Sequence, residues 1–305
     1  MGQVLAALGP RLGEVYVDCT AGLGGHAAAV AGELAKEGAT TGVVVLNDAD
    51  PKNLARAGDA VRGAAPGVAV HELGGNYAEL PHRLGVVLGG RRVNMVLADL
   101  GVASPQIDDA SRGFSFSHDG PLDMRMDPGL AASAADIVNS FSESQLAEII
   151  DRFGEDRNAR RIARKLVQSR AADPILTTAR LADLVRAASG GRRAGQVDPA
   201  TRTFQALRMA VNDELGSLEA LLGAVVREAE QLASNKPTSW LAPGARLAVI
   251  SFHSLEDRPV KRAMERIVEL GGTDLTRGAK TADEDEVRAN PRARSAKLRA
   301  AALPG

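Results

Sequence analysis

Three aspartates lie where predicted strands end, at positions that could bind a ligand. Asp18, Asp48 and Asp99 each close a short apolar run, and Asp18 is followed by the glycine-rich turn Gly22-Leu-Gly-Gly25. Glycines let the chain turn sharply and let a ligand approach main-chain N–H groups. A carboxylate about 23 residues beyond such a turn can accept hydrogen bonds from both ribose hydroxyls of an adenosine. Asp48 is therefore a candidate ribose ligand.

Two classes of nucleotide-binding enzyme share this arrangement. NAD presents a pyrophosphate at the turn, whereas S-adenosylmethionine (SAM) presents an ammonium group. The carboxylate of Asp18 would repel a pyrophosphate, and Asp99 offers a second anion where doubly wound sheets bind ligands. Since no hydride-transfer machinery is evident, the pattern favours a SAM-dependent methyltransferase over a dehydrogenase.

The elements that position these aspartates alternate between strand and helix. Apolar runs spaced by helical segments predict βαβ units and a parallel sheet. The predicted strands cover residues 15–18, 42–46, 68–73, 93–98 and 245–251. We predict an α/β protein whose Rossmann-like, doubly wound, mostly parallel sheet comprises residues 1–104 and 201–305. Residues 105–200 are predicted to form an inserted helical domain.

Three further segments carry specific expectations. A single long helix is predicted over residues 201–233, and the tail 284–304 is expected to pack down without forming a domain. Residues 99–127 show no helix or strand period but contain two Phe and two Arg. Loops of this length are uncommon unless they are functional or disordered. The aromatic content favours an ordered loop built over a site, held by an ion-pair cluster of Asp123, Arg125 and Asp127.

Composition limits the classes of protein that this chain can belong to. A single cysteine, Cys19, excludes an internal disulfide framework and is typical of a cytoplasmic protein. The five histidines lack metal-ligand spacing, no apolar run approaches the ~20 residues of a membrane span, and no signal peptide opens the chain. The net charge is −1, yet residues 152–202 contain twelve Lys or Arg against five Asp or Glu. A basic segment on a nearly neutral chain favours a polyanionic partner.

Longer motifs resemble those of the RsmH (MraW) family, in the family's order and over nearly the whole chain. They are Asp18-x-Thr-x-Gly-x-Gly-Gly-His26, Asp48-x-Asp50-Pro51, Asp99-Leu-Gly-Val-x-Ser-Pro-Gln106, Arg112-Gly-Phe-Ser-Phe116, Gly120-Pro-Leu-Asp-Met-Arg-Met-Asp127, Thr201-Arg-Thr-Phe-Gln-Ala206, Ser251-Phe-His-Ser-Leu-Glu-Asp-Arg258 and Asn290-Pro-Arg-x-Arg-Ser295. The chain departs from the family at Ala103, which replaces a usual Ser. It also lacks the His-x-Pro-Val segment that usually precedes Gln3, which predicts either a different start or a shorter lid.

The resemblance implies a class I SAM-dependent methyltransferase that modifies the exocyclic N4 of a cytidine. The nucleotide would lie in the decoding centre of 16S ribosomal RNA, near the P site, and the substrate would be the small ribosomal subunit. The implied cofactor ligands, together with Asp18, are Gly24, Gly25, His26, Asp48, Tyr77, Asp99 and Gln106. A homodimer is compatible with the sequence, which does not fix the oligomeric state.

The chemistry of cytosine suggests which groups act on the substrate. Its N4 lone pair is delocalised, so methyl transfer requires in-line positioning and an acceptor for the N4 hydrogens. Asp99 is the first candidate acceptor, although it could instead only hold the ammonium of SAM. Phe114, Phe116 and Phe252 are candidates to stack on the base, with packing as the alternative. His253 could contact base or phosphate, or have a structural role.

Basic residues in two segments are predicted to bind RNA phosphates. They are Arg157, Arg160, Arg161, Arg164 and Lys165 in the helical insert, and Arg292, Arg294, Lys297 and Arg299 in the tail. Solvated helix faces are the alternative interpretation of such charge runs. The rival functions are methylation of another substrate and a ribosome-assembly factor that binds RNA without efficient catalysis.

Overall fold

The computed structural model describes residues 1–38, 40–190 and 197–305. The chain divides into two compact units. The first contains Met1–Gly101 and Leu215–Gly305, and the second contains Val102–Glu214.

One mixed sheet organises the first unit. Its strands within the described residues are β1 Val15–Asp18, β2 Val43–Asp48, β3 Ala69–Gly74, β4 Val93–Asp99, β5 Leu241–Ser251, β6 Thr273–Asp274, β7 Lys280–Thr281 and β8 Lys297–Ala302. The order is β3-β2-β1-β4-β5-β8-β6, with β7 also paired to β8. Strands β1 to β5 pair in parallel, whereas β8 runs antiparallel to β5. The predicted mostly parallel α/β sheet is confirmed.

Helices cover both faces of this sheet and form the second unit. They are α1 Gly2–Leu8, α2 Gly25–Leu34, α3 Pro51–Ala64, α4 Leu80–Val87, α5 Ser104–Asp108, α6 Ala134–Ser140, α7 Glu143–Gly154, α8 Ala159–Arg170, α9 Thr178–Ser189, α10 Ala200–Asn212, α11 Glu214–Ala233, α12 Ser254–Glu269 and α13 Glu284–Ala289. No helix of the described chain is long and apolar enough to cross a membrane.

Alternation along β1 shows how the sheet is buried on both faces. Val15 and Val17 belong to a core shared with α4, α11 and α12, whereas Tyr16 belongs to a core shared with α1, α2 and α3. Successive side chains of a strand point to opposite faces, so one strand feeds both cores. Nearly continuous apolar strands are typical of parallel sheets covered by helices on both sides.

The second unit has its own helical core, formed by α6 to α10. The Ser142–Gln145 capping box predicted from the sequence starts α7: the Ser142 hydroxyl accepts from Gln145 N–H, and Gln145 Oε1 accepts from Ser142 N–H. The unit spans residues 102–214, whereas the sequence placed its boundaries at 105 and 200. The difference arises because α10 packs against α7 and contributes Phe204 and Leu207 to this core.

One other expectation was wrong, whereas the tail packs onto the first unit as expected and also supplies a strand that the sequence did not predict. The long helix predicted over 201–233 is two helices, since Asp213 adopts a left-handed conformation (φ 46°, ψ 46°) between α10 and α11. The tail contributes β8 to the sheet, because Leu298 and Ala300 reach the apolar core while Lys297 and Arg299 alternate away from it.

Candidate ligand site at the carboxyl edge of the sheet

Neighbouring strand ends bring the predicted acidic residues together. Asp18 lies opposite Leu46 of β2 and Leu97 of β4, and Asp99 lies opposite Ile250 of β5. These strands are parallel, so their carboxyl ends form one edge of the sheet. The chain continues from β1 to β2 on one side of β1 and, after β3, crosses back to β4 on the other side. Open α/β sheets bind ligands at such a switch point.

Asp18 is a buried carboxylate with uncharged partners. It is 1% exposed, its Oδ2 accepts from the Tyr16 hydroxyl at 3.0 Å, and its Oδ1 accepts from Thr20 N–H at 3.2 Å. Burial raises its pKa to about 7, although the two hydrogen bonds oppose the shift. A cationic ligand would stabilise the ionised form of Asp18.

Asp99 lies beside Asp18 at the end of β4. Its N–H donates to the Thr20 hydroxyl at 2.7 Å, and its Oδ1 is buried with no hydrogen-bond partner in the described chain. Burial, followed by the negative charges of Asp18 and Glu256, raises its pKa to about 7. The site therefore holds more negative charge than its own groups neutralise.

His26 is the basic side chain that faces Asp99. Its Nε2 lies 3.8 Å from Asp99 Oδ2, while its buried Nδ1 has no hydrogen-bond partner among the described residues. Burial lowers the pKa of His26 to about 4, so the imidazole is neutral at pH 7. His26 consequently offers polar atoms to a ligand without cancelling the charge of Asp99.

Asp48 anchors the glycine turn to the end of β2. Its Oδ2 accepts from Gly22 N–H and its Oδ1 from Asp50 N–H, both at 2.8 Å, and burial raises its pKa. A Cβ on Gly24 (φ 80°) would lie 2.7 Å from Ala57 Cα, so close packing of α2 on α3 requires a glycine there. Gly25 has no such neighbour, since a Cβ would meet only the Met1 side chain at 3.9 Å.

Two residues extend this edge towards β3. Tyr77 begins a 3₁₀ turn after β3 and packs, partly buried, against the apolar core. Asn47, which the sequence reasoning missed, is 1% exposed, and its Nδ2 donates to the carbonyls of Cys19 and Gly75 at 3.0 Å each. The sequence feature that could have identified Asn47 was a polar residue inside the apolar run of β2. Asn47 joins the ends of three strands.

The turn from β5 to α12 supplies the other predicted substrate residues. Phe252 is half-buried, and a Cβ on Gly101 would meet its ring at 3.9 Å, so Phe252 lies beside the end of β4. His253 caps α12, and its Nε2 lies 3.0 Å from Oε1 of the buried Glu256. Sequence reasoning missed Glu256, although its position three residues after His253 at a helix start was the available signal.

The second unit contains the remaining loop candidates. Gln106 is 6% exposed, and its Oε1 accepts from Ala103 N–H as a cap of α5. Phe114 packs partly buried on the helical core, as does Phe116, whose ring meets that of Phe204 at 4.8 Å edge to face. Packing within this unit thus accounts for the positions of both phenylalanine rings.

The expected ion pair in this segment is present. Arg125 binds both carboxylate oxygens of Asp123 at 2.8 Å and donates to main-chain carbonyls of Pro128 and Leu130. Asp127 instead accepts from Gly129 N–H at 2.7 Å. The pair holds an irregular stretch of chain in one conformation.

The predicted arginines of the helical insert line a groove of about 1050 Å³ between α7 and α8. Arg157, Arg160, Arg161 and Arg164 lie along one side, and Lys165 is half-buried on the same helix. The opposite side carries the acidic residues Glu143, Glu148 and Asp151. Only the Arg164–Glu143 pair, at 3.4 Å, is an ion pair across this groove among the described contacts.

The basic residues of the tail separate into two groups. Arg292 and Arg294 are exposed on a 3₁₀ turn. Arg299 donates to both oxygens of Asp257 at 2.7 and 3.1 Å, and Lys297 lies 3.3 Å from the same carboxylate. Asp257 therefore pairs with both basic residues of β8 and offsets one of their two positive charges.

This edge has the chemistry of a site for an organic cation. No group of three or more His, Cys, Asp or Glu that could hold a metal ion occurs in the described ranges. The buried Asp18 and the partly buried Asp99, both with raised pKa values, a neutral imidazole and a glycine turn remain. Together with the doubly wound sheet, they define the class of Rossmann-like methyltransferases.

Comparisons with known proteins agree with that class. The model of the MraW methylase family matches residues 1–303. Ribosomal RNA small subunit methyltransferase H of Sorangium cellulosum is 47% identical over 303 residues, which cover 99% of this chain and 89% of that protein. The proteins of the same name from Deinococcus radiodurans and Halorhodospira halophila are 47% and 44% identical, over 97% and 98% of this chain and 86% and 91% of theirs. The chain belongs to the MraW methylase family.

Proposed function

We propose that the protein transfers a methyl group from SAM to the exocyclic N4 of a cytidine in the decoding centre of 16S ribosomal RNA. The observation that carries the proposal is the pair of carboxylates with raised pKa values, Asp18 and Asp99, beside a glycine turn and a neutral His26. The names of the relatives support small-subunit ribosomal RNA as the substrate.

The residues at the sheet edge fit SAM. When bound, SAM supplies an electrophilic methyl group on a positively charged sulfur, and it also carries an ammonium. Asp18 and Asp99 would offset these positive charges, Gly25 leaves room for close approach, and Asp48 is placed for the ribose. Tyr77 would lie against the adenine, and Gln106 is a further candidate ligand of SAM.

Asp99 has two possible contributions to the reaction. Its Oδ1 could hold the ammonium, or it could accept a hydrogen from N4 and so localise the nitrogen lone pair as attack begins. An Asp99→Asn enzyme with weakened SAM binding would indicate the first role. Lower kcat with unchanged SAM binding would indicate the second.

The remaining predicted residues concern the RNA. Phe252, half-buried beside Gly101, is the ring at the sheet edge that could stack on an extruded base. Phe114 and Phe116 remain candidates for RNA contact through whatever part of each ring stays accessible. Arg157, Arg160, Arg161, Arg164, Lys165, Arg292 and Arg294 would contact phosphates, and the carboxylates across the α7–α8 groove would restrict where a phosphate can lie.

The decisive experiment is transfer of labelled methyl groups from SAM to small ribosomal subunits that lack the modification, followed by mapping of the modified nucleotide. We expect one N4-methylated cytidine in the decoding centre, and no label with an Asp18→Asn, Asp99→Asn double variant. Label in another RNA, protein or metabolite would reassign the substrate. Tight subunit binding without transfer would indicate an assembly factor.

A further inference from the structure

The groove between α7 and α8 is lined by four acidic residues and four arginines. The acidic residues are Glu143, Glu148, Asp151 and Asp156, and the arginines are Arg157, Arg160, Arg161 and Arg164. Helix residues three or four positions apart share one face, so Glu148 and Asp151 lie together on α7, and Arg160 and Arg164 lie together on α8. The groove is therefore neutral as a whole, and its opposite charges belong to different sides.

Only part of this charge is balanced inside the protein. Asp156 is 5% exposed and accepts from a main-chain N–H at 2.8 Å at the start of α8. Glu143 pairs with Arg164 at 3.4 Å. Glu148 and Asp151 are exposed and form no ion pair within the part of the chain that the structure describes. Two carboxylates thus face solvent opposite the remaining arginines.

A row of phosphates by itself is a poor match for this groove. Phosphates drawn to the arginines of α8 would be repelled by the free carboxylates of α7. A matching occupant presents anions to α8 and hydrogen-bond donors to α7. Single-stranded RNA does both, because its phosphates lie along one edge and its unstacked bases expose their hydrogen-bonding edges on the other.

The free carboxylates favour some bases over others. An ionised carboxylate accepts hydrogen bonds and donates none. Cytosine, adenine and guanine each carry an exocyclic amino group, and Glu or Asp accepts from cytosine N4 in nucleic-acid recognition. Uracil has the carbonyl oxygen O4 where cytosine has this amino group. A carboxylate that faces O4 is repelled and gains no hydrogen bond from it.

We propose that the α7–α8 groove binds a single-stranded segment of the substrate RNA and selects its bases. The phosphates lie on the arginines of α8, and the amino groups of adenine, cytosine or guanine donate to Glu148 and Asp151. This inference rests on the proposed function, because it takes RNA as the substrate. It makes Glu148 and Asp151 specificity-determining residues within the helical unit.

The test measures binding of labelled oligocytidylate and oligouridylate of equal length, at one salt concentration and without SAM, by fluorescence anisotropy. We expect the wild type to bind oligocytidylate roughly 5- to 10-fold more tightly than oligouridylate. Oligoadenylate should also bind more tightly than oligouridylate, which distinguishes base selection in the groove from recognition of cytidine at the catalytic site.

The Glu148→Gln, Asp151→Asn double variant should lose this preference. A side-chain amide can donate to O4 or accept from N4, so the ratio of the two affinities should fall to within about twofold of one. Affinity for oligouridylate should rise, because two charges that repel its phosphates are removed. A general loss of structure would instead weaken binding of both oligomers.

Asp173→Asn, Asp183→Asn is the matched control, since it removes two exposed carboxylates of the same unit that do not line the groove. It should keep the wild-type ratio, although its overall affinity for RNA can rise. Equal binding of the two oligomers by the wild type overturns the proposal. So does a preference that the groove variant retains, or one that both double variants lose. A wild type that selects bases but methylates no cytidine refutes the proposed function and leaves the groove as an RNA-binding site.

Discussion

The residues at the carboxyl edge show how burial prepares a site for a cation. Asp18 receives hydrogen bonds only from neutral donors, Asp99 Oδ1 has no partner among the described residues, and the pKa values of both carboxyls are raised to about 7. His26, the imidazole beside them, stays neutral because burial lowers its pKa to about 4. A bound cation would relieve the cost of this buried negative charge.

The first prediction concerns Asp99. Replacing Asp99 by Asn removes one of the two anions that would contact the ammonium or sulfonium, and a hydrogen bond to a charged group is worth about 1.5–3 kcal/mol. SAM affinity, measured by isothermal titration calorimetry, should fall roughly 10- to 100-fold. Asp59→Asn, at an exposed position on α3, is the control and should bind SAM like the wild type. Unchanged SAM affinity in Asp99→Asn would move Asp99 from the cofactor to the substrate amine.

The second prediction is the pH dependence of stability that Asp18 contributes. Because its pKa rises on folding from 3.8 to about 7, the folded state binds more protons between these values. Its contribution to the free energy of unfolding therefore falls as pH rises across this interval. The titration of His26 makes the free energy of unfolding rise with pH between pH 4 and 6.5, but this contribution is present in both wild type and variant.

Urea unfolding of ligand-free wild type and Asp18→Asn at pH 5 to 8 measures the effect of Asp18, which includes its share in the raised pKa of Asp99. The variant should gain stability relative to wild type as pH rises. A difference that stays constant with pH would show that Asp18 does not titrate in this range.

At the scale of elements, a single helix residue fixes the start of the central strand β5. Glu228 of α11 is 3% exposed, and its carboxylate accepts hydrogen bonds from Ser239, Trp240 and Leu241 main-chain N–H groups at 2.9–3.1 Å, as well as from the Ser239 hydroxyl. These donors lie at the end of the segment that links α11 to β5. The helix thereby satisfies polar groups that β5 leaves unpaired as it enters the core.

The third prediction follows from this cap. Glu228→Ala leaves several buried donors without a partner, each costing about 1–3 kcal/mol, and should lower the free energy of unfolding by roughly 3 kcal/mol. Chemical denaturation measures the loss. Glu230→Ala, two residues along the same helix at a half-exposed ion pair with Arg266, should cost less than about 1 kcal/mol. Equal losses in the two variants would contradict the capping role.

At the scale of the whole molecule, the acidic edge of the sheet and the arginines that line the α7–α8 groove belong to different units. The carboxylates of the sheet edge lie in the unit that contains residues 1–101 and 215–305, whereas the arginines of α8 lie in the unit 102–214. A polyanion is attracted by these arginines and repelled by the carboxylates of the sheet edge. The division allows cofactor affinity and RNA affinity to be altered separately.

The fourth prediction tests that separation. Changing Arg157, Arg160, Arg161 and Arg164 together to Gln should weaken binding to small ribosomal subunits and flatten its dependence on salt. The logarithmic slope should fall by about 0.7–0.9 for each phosphate that the variant no longer neutralises. SAM affinity should be unchanged. The control removes four exposed cations of the other unit, Lys52, Arg56, Lys261 and Arg262, and should keep the slope. Equal slopes for wild type and the α8 variant would refute the binding of phosphates by these arginines.

The sequence by itself determined the parallel sheet, the acidic strand ends and the glycine turn. These features depend on side-chain periodicity and on turn chemistry, which act over a few residues. Asp18, Asp48 and Asp99 could be assigned to strand ends for this reason, and the cap at Ser142 could be predicted from four residues.

Only the tertiary structure decided what each of these side chains meets. Asp257 pairs with Lys297 and Arg299 from about forty residues away, Phe116 packs on Phe204, and Gly24 makes room for Ala57. The left-handed Asp213 divides a helix that the apolar pattern makes continuous. Such contacts depend on which faces are brought together by folding, and neither residue of a distant pair carries a local signal of its partner. The sequence thus located the chemistry, and packing determined which charges remain available to a ligand.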